Sequence, residues 1–285
     1  MQRSTLKAPL HFSGKGLFSA QSCSITLRPS RDQRGIVFEH MGEQVPAHID
    51  ALSDIPVHPA FASMSPRCTG VGNDQINIAT IEHLLSALCG LGISDALIEI
   101  KSASAHCEIP ILDGSAIEFV HAINTSGIET LDTQIEPITI CSPIIIEDGD
   151  ASITIEPSER PSFAYTLDYP QPEITNTTVT WESDPTDYAN RIAHARTFCL
   201  EHEAETMHNA GLFTHLSTSD MLVIAKDGPI DNTLRDPHEC ALHKLLDLIG
   251  DLSLVGRPLH TKVHAIKSGH RMAHQAARAI IDQQF

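Results

Sequence analysis

Apolar residues recur at two different spacings along the chain, and the spacings divide it into strands and helices. Cys23, Ile25 and Leu27 alternate with Ser24, Thr26 and Arg28, the period of a half-buried strand. The run Ser13-Gly14-Lys15-Gly16 predicts a turn between that strand and an earlier one. Ile81, Leu84, Leu85 and Leu88 fall at i, i+3, i+4 and i+7 and predict a helix over 80–89, with Thr80 as its cap and Gly90 as its stop. A strand is predicted at 96–100, a turn at 111–115, and then a helix presenting Ile117, Val120 and Ile123. Residues 124–136 are polar, lack a strong period and read as a linker. Beyond them, Ile144-Ile145-Ile146 and Ile153-Thr154-Ile155 flank Asp148-Gly149, a hairpin signature. Further strands are predicted at 163–169, 177–181, 221–225 and 261–266, and helices at 188–194, 201–209 and 236–255. The last of these opens on Asp236-Pro237 with Glu239 three residues on, as in a capping box, and stops at Gly256. The turn Lys267-Ser268-Gly269 leads into a final helix that runs to the C-terminus.

The pattern repeats weakly. Helix, glycine, strand, glycine turn and helix follow one another once around Gly90 and Asp113-Gly114, and again around Gly256 and Ser268-Gly269. The simplest architecture is two α+β domains of one design, residues 1–125 and 135–285, each with helices on one face of a sheet. The two helical layers would bury each other and leave a site between the domains. A length of 285 residues suits two cores, and a hydrophobic share of 41% can fill them. Nineteen Lys and Arg against 36 Asp and Glu leave a net charge of −17, which repels phosphate backbones and excludes a non-specific nucleic-acid binder. Seven cysteines, an odd number with no C-x-x-C, read as reduced thiols of a cytosolic protein. The first seven residues contain no apolar signal region, and no run approaches the ~18 apolar residues of a membrane span.

Chemistry concentrates in four places. In the apolar helix at 236–255, His243, Asp247 and Asp251 lie at i, i+4 and i+8 on one stripe. A buried His–Asp pair joining two elements is one reading. The other is a cation, since two buried carboxylates need more compensation than one histidine supplies. Glu82 and His83 stand in the first turn of another apolar helix, where helix-dipole complementarity explains Glu82 but not His83. His83, His243 and Asp247 together match the open three-ligand set of a catalytic zinc, and Glu82 beside a ligand could act as general base. His270, on a glycine turn before a helix, is either an exposed turn residue or a catalytic acid partnered by Asp251. Thr197 is either a plain cap or a hydroxyl donor to a developing oxyanion.

Five segments occur in order: Thr80-Ile81-Glu82-His83-Leu84, Ile109-Pro110-Ile111-Leu112-Asp113-Gly114-Ser115, Ala195-Arg196-Thr197-Phe198, His243-Lys244-Leu245-Leu246-Asp247 with Ile249-Gly250-Asp251, and Lys267-Ser268-Gly269-His270. Over nearly the whole chain this set closely resembles the UDP-3-O-acyl-N-acetylglucosamine deacetylase family, zinc amidases of lipid A synthesis in Gram-negative bacteria. The resemblance implies two similar β–α sandwich domains with their helical layers packed face to face. It implies one Zn2+ per chain, with Fe2+ as an alternative, on His83, His243 and Asp247. It further implies Glu82 as general base, His270 supported by Asp251 as acid, and Thr197 as oxyanion donor. Phe198 would pack on the sugar, Lys244 and Lys267 would meet the polar head and diphosphate, and Asp168 and Tyr169 would hold the uracil. The implied substrate is UDP-linked acylated N-acetylglucosamine, handled by a cytoplasmic monomer with transient membrane-surface contact. Phe18 stands where the family usually has His, and Phe213-Thr214-His215-Leu216-Ser217 replaces a glycine-rich turn. An insert at 199–234 would form the acyl passage, and its retained apolar strand and helix predict an open passage of altered length. The alternatives are a zinc amidase for another N-acetyl sugar and a non-catalytic zinc-binding paralogue.

Overall fold

Two five-stranded sheets of identical topology are each built from one half of the chain. The computed structural model describes residues 1–61, 67–171, 174–218 and 221–284. The first sheet contains β1 (Leu10–Lys15), β2 (Ser22–Pro29), β3 (Ile36–His40), β4 (Glu43–Pro46) and β5 (Ala96–Lys101), ordered β1-β2-β5-β3-β4. The second contains β6 (Ile144–Asp148), β7 (Ala151–Pro157), β8 (Ser162–Leu167), β9 (Thr177–Trp181) and β10 (Thr261–Ile266), ordered β6-β7-β10-β8-β9. In each sheet the last strand inserts at the centre, antiparallel to the second and parallel to the third. Alternation sets the buried faces: Phe163, Tyr165 and Leu167 of β8 point to the core.

Helices α1 (Glu82–Gly90) and α2 (Ile117–Ser126) flank β5, and α4 (Glu239–Leu252) and α5 (His270–Asp282) flank β10 in the same way. A shorter helix, α3 (Glu201–Asn209), lies between. Helix α4 packs on β8 and β9, α5 packs on β6 and β7, and α1 packs on α4. The fold is thus two similar β–α sandwiches with their helical layers face to face. Because α4 is covered by its own sheet on one side and by α1 on the other, nearly all its residues are buried. One position sets the separation of the two layers. A Cβ built on Gly250 of α4 would lie 2.1 Å from the carbonyl oxygen of Glu82, so the absence of a side chain there lets α4 touch the first turn of α1.

Several local expectations are revised. Ser13, Gly14 and Lys15 belong to β1, and the chain turns at 17–19 instead. Thr80 does not cap α1: its φ is +58° and its hydroxyl donates to Glu108 Oε1 at 2.6 Å. The polar segment read as a linker contains a strand, Ile128–Gln134, paired antiparallel with Gln2–Leu6. The Asp236–Glu239 capping box does not form, because Glu239 accepts from Arg196 and from the Arg235 backbone N–H. The helix expected at 188–194 is a short π-helical stretch, Tyr188–Ile192. The final helix ends at Asp282, short of the C-terminus, and residue 285 and residues 219–220 of the insert lie outside the described residues.

The insert has its own small sheet, in which Phe198–Leu200 runs parallel to Leu222–Ala225, and the latter pairs with Gly228–Pro229. Its apolar side chains divide: Leu200, Leu222 and Ile224 join the main core, and others do not. Leu212 and Met221 form a satellite cluster with Leu17, Phe18, Phe61 and Ile111.

Candidate active site

Helices α1 and α4 meet with their histidines and carboxylate converging. Nε2 of His83 lies 3.5 Å from Asp247 Oδ1, and Nε2 of His243 lies 3.4 Å from the same oxygen. All three residues are at most 5% exposed. His243 Nδ1–H donates to the Ala195 carbonyl at 3.1 Å, so the Nε2 of the neutral ring carries a lone pair. Burial, opposed by Asp247, lowers the His243 pKa to about 3 and keeps the ring neutral. Asp247 Oδ2 accepts from Lys244 Nζ at 2.7 Å, while Oδ1 is buried with no hydrogen-bond partner among the described residues. Burial pushes Asp247 up, but its charged surroundings, the Lys244 ammonium among them, hold it well below the usual carboxylate range. A buried anionic oxygen facing two ring nitrogens without a donor is unfavourable by itself. The arrangement is favourable around a cation, and the donor set of two imidazoles and one carboxylate fits a divalent ion.

Glu82, one residue before His83, is 3% exposed and accepts from the Thr69 backbone N–H at 3.0 Å. Burial pushes its carboxyl up to about 7, partly offset by His270 and His83. His270 opens α5, and its Nδ1 lies 2.8 Å from Asp251 Oδ2. Burial lowers the His270 pKa, but Asp251 outweighs it and the pKa rises to about 9, so the imidazole is protonated at neutral pH. Glu82, His83, His243, Asp247 and His270 all line one cavity of about 320 Å³.

The remaining expected residues are positioned as follows. Thr197 lines the cavity, with its N–H donating to Gly114 at 2.7 Å and its carbonyl accepting from Leu222 at 2.9 Å. The Asp113-Gly114-Ser115 turn therefore sets its height. Phe198 lines the cavity beside the rings of Tyr169, at 6.0 Å, and His243, at 6.3 Å. Lys244 pairs with Asp247 at 2.7 Å, and Lys267 pairs with Asp168 at 2.9 Å and with Asp150. Both lysines line the cavity, as does Tyr169. Asp168 is exposed at its edge and also accepts from Asn176. An apolar arm of the same cavity is lined by Leu17, Phe18, Phe61, Met207, Phe213 and Met221. The Phe18 ring lies 5.2 Å from Phe61 and 5.7 Å from Phe213.

Three contributors escaped the sequence reading. Arg196 is buried on Glu239 of α4, with Nε at 2.8 Å from Oε1, which locks the Thr197 segment onto the ligand helix. Thr69 and His274 join the Asp251–His270 pair from behind. His274, one helical turn beyond His270, carried a spacing signal; Thr69 carried none.

Comparison with known proteins agrees over the full length. The family model described as UDP-3-O-acyl N-acetylglycosamine deacetylase matches residues 3–282. A UDP-3-O-acyl-N-acetylglucosamine deacetylase of Leptospira biflexa serovar Patoc is 33% identical over 288 residues, 99% of this chain and 91% of that protein. One from Nautilia profundicola is 31% identical over 284 residues, 100% of this chain and 93% of its own length.

Proposed function

Since the chain belongs to the UDP-3-O-acyl N-acetylglycosamine deacetylase family, we propose that the cavity between α1 and α4 hydrolyses the N-acetyl amide with Glu82 as base and His270 as acid. The chain is an enzyme of lipid A biosynthesis that removes the acetyl group from UDP-3-O-acyl-N-acetylglucosamine. Its family is one of metal-dependent hydrolases. The observation that carries the site assignment is the convergence of His83, His243 and Asp247, with Asp247 Oδ1 lacking a hydrogen-bond partner among the described residues. A zinc ion is the proposed occupant; iron(II) suits the same donors. When bound there, the ion supplies positive charge that polarises the amide carbonyl and acidifies water.

The chain's own groups account for the proton movements. Glu82, next to a ligand, takes a proton from water in its ionised form as the water oxygen bonds to the acetyl carbon. Thr197 offers its hydroxyl to the carbonyl oxygen as that oxygen becomes anionic. His270, protonated through its pairing with Asp251, gives a proton to the sugar nitrogen as the carbon–nitrogen bond breaks, because an amide anion is too basic to leave. The products are acetate and the free amine. Lys244 and Lys267 meet the polar head and diphosphate, Phe198 packs on the sugar, and Asp168 with Tyr169 holds the uracil. The apolar arm beside Phe18 and Phe213 takes the acyl chain. Residues 1–125 and 135–285 form the two domains, and the strand Ile128–Gln134 crosses between them. The proposed working unit is the single chain. No helix among the described residues is long and apolar enough to cross a membrane. A cytoplasmic enzyme touching the membrane surface transiently fits a substrate that carries a lipid.

The test is a deacetylation assay on acylated and unacylated UDP-N-acetylglucosamine with metal analysis of the same protein. Glu82→Gln keeps the shape and removes the base. We expect bound metal to remain while turnover falls by ~10² or more. Unchanged turnover refutes the assignment of Glu82.

A further inference from the structure

We propose that Thr69 is a positioning residue that holds the acid and the base of this reaction in register, with its own hydroxyl fixed by His274. The inference rests on the assignment of His270 and Asp251 given above. Thr69 is fully buried and uses every polar atom it has. Its backbone N–H donates to Glu82 Oε2 at 3.0 Å, and its carbonyl accepts from the Ile81 N–H at 3.1 Å. Its hydroxyl lies 2.5 Å from Asp251 Oδ1 and 2.7 Å from His274 Nε2.

The proton positions follow by elimination. Ionised Asp251 has no proton to give, so the single hydroxyl proton of Thr69 points at Oδ1. The Thr69 oxygen must then accept from His274, which fixes the Nε2–H tautomer of that ring. Burial lowers the His274 pKa and keeps the ring neutral, so it carries one N–H and not two. At the other end Asp251 Oδ2 accepts from His270 Nδ1–H at 2.8 Å. The chain therefore runs in one direction, from His274 through Thr69 to Asp251, where it meets His270. With Nδ1 committed, Nε2 is the nitrogen of His270 left to serve the substrate.

The geometric consequence concerns the two halves. Glu82 belongs to α1, whereas Asp251, His270 and His274 belong to α4 and α5. Thr69 touches both sets through atoms three bonds apart, its backbone N and its hydroxyl oxygen. A carboxylate held at one oxygen by a histidine alone can rotate about its Cβ–Cγ bond. Held at both oxygens it cannot, and the His270 ring it orients is fixed with it. None of these contacts reaches the substrate, so the effect falls on the rate of the chemical step and not on binding.

The experiment is a double-mutant cycle on the metal-loaded enzyme. Thr69→Val preserves shape and the backbone N–H to Glu82 but deletes the hydroxyl. We expect kcat to fall tenfold to a hundredfold, the scale of one hydrogen bond to a charged group. KM should stay within about twofold and bound metal should stay complete. Thr69→Ser, which restores the hydroxyl, should recover most of the loss. Added to Asp251→Asn, Thr69→Val should cause no further loss, since the carboxylate that it holds for His270 is gone. His274→Leu should lower kcat in the same way, and should again add nothing to Asp251→Asn; it carries the test if Thr69→Val fails to fold. Wild-type kcat in Thr69→Val, a rise in KM instead, or an equal loss in the Asp251→Asn background overturns the proposal while leaving the acid assignment standing. Full activity of Asp251→Asn overturns that assignment and the proposal with it.

Discussion

Gly250→Ala sets two well-known effects against each other. Inside a helix, alanine is favoured over glycine by about 1 kcal/mol, so propensity alone makes the substitution stabilising. The contact across the helix crossing has the opposite sign. The new methyl carbon would stand 2.1 Å from the Glu82 carbonyl oxygen, where ordinary contact begins at 3.4 Å. The obstacle is backbone, which no rotamer change can move aside, and the carbonyl carbon is also close at 2.8 Å. Relief requires α1 and α4 to separate by roughly 1 Å at the point where they meet. Overpacking of this kind costs about 1–3 kcal/mol, and a backbone clash belongs at the upper end. The net expectation is a loss of about 2 kcal/mol, or a melting temperature lower by roughly 4–8 °C. Activity should suffer more. Glu82 and His83 sit in the displaced turn, opposite His243 and Asp247, and a misplacement of about 1 Å can lower the rate ~10²-fold. Thermal unfolding and kcat measured on the same preparation decide the matter. A melting temperature equal to or above wild type, with unchanged kcat, would mean that propensity wins and the tight crossing is not what assembles the site.

Alanine at His83, His243 or Asp247 should abolish bound metal and activity together; a variant that keeps a full complement of metal is not missing a ligand. The pKa of His270 is raised from 6.5 to about 9, and its acid role needs the proton, so activity should fall as pH rises through about 9. The same shift stabilises the fold fully below pH 6.5, and that stability is lost as pH rises through about 9. Asp251→Asn removes the charge that raises the pKa and should move the alkaline limb of the rate profile to lower pH, whereas an unmoved limb detaches the two residues. Along a series of acyl lengths, kcat/KM should rise about fourfold per methylene, equivalent to about 0.8 kcal/mol, until the apolar arm is full. Phe213→Ala should extend that rise to longer chains, and indifference to chain length would remove the acyl chain from the arm beside Phe18, Phe61 and Phe213.

What could be read from the sequence, and what could not, divides by the range of the contact. His243, Asp247 and Asp251 fall on one stripe of one helix, where the 3.6-residue period alone fixes a shared face, and the structure keeps them there. The two sheets were legible for the same reason, since alternation is a local signal. The strand Ile128–Gln134 was not. It pairs with a single partner and buries only Leu131, so its sequence has no apolar period. Two cap assignments failed by competition. Thr80 and Glu239 had the residue types of helix caps, but distant partners, Glu108 and Arg196, claimed their side chains. Thr69 is the extreme case, 182 positions from Asp251 and 205 from His274, without any local pattern to mark it. The twofold topology explains why such long-range contacts gather at one point. Helices α1 and α4 precede the central strands of their respective sheets, so they are equivalent elements of a repeated unit. Within its own half Asp247 pairs with Lys244 and Asp251 with His270, while Asp247 Oδ1 and the His83 ring are left to face the other half. Crossing at Gly250, the helices pair those groups with one another. His83 from one repeat meets His243 and Asp247 from the other, and Glu82 and Asp251 reach the same threonine. Those contacts between the halves place the reactive residues where the two layers touch.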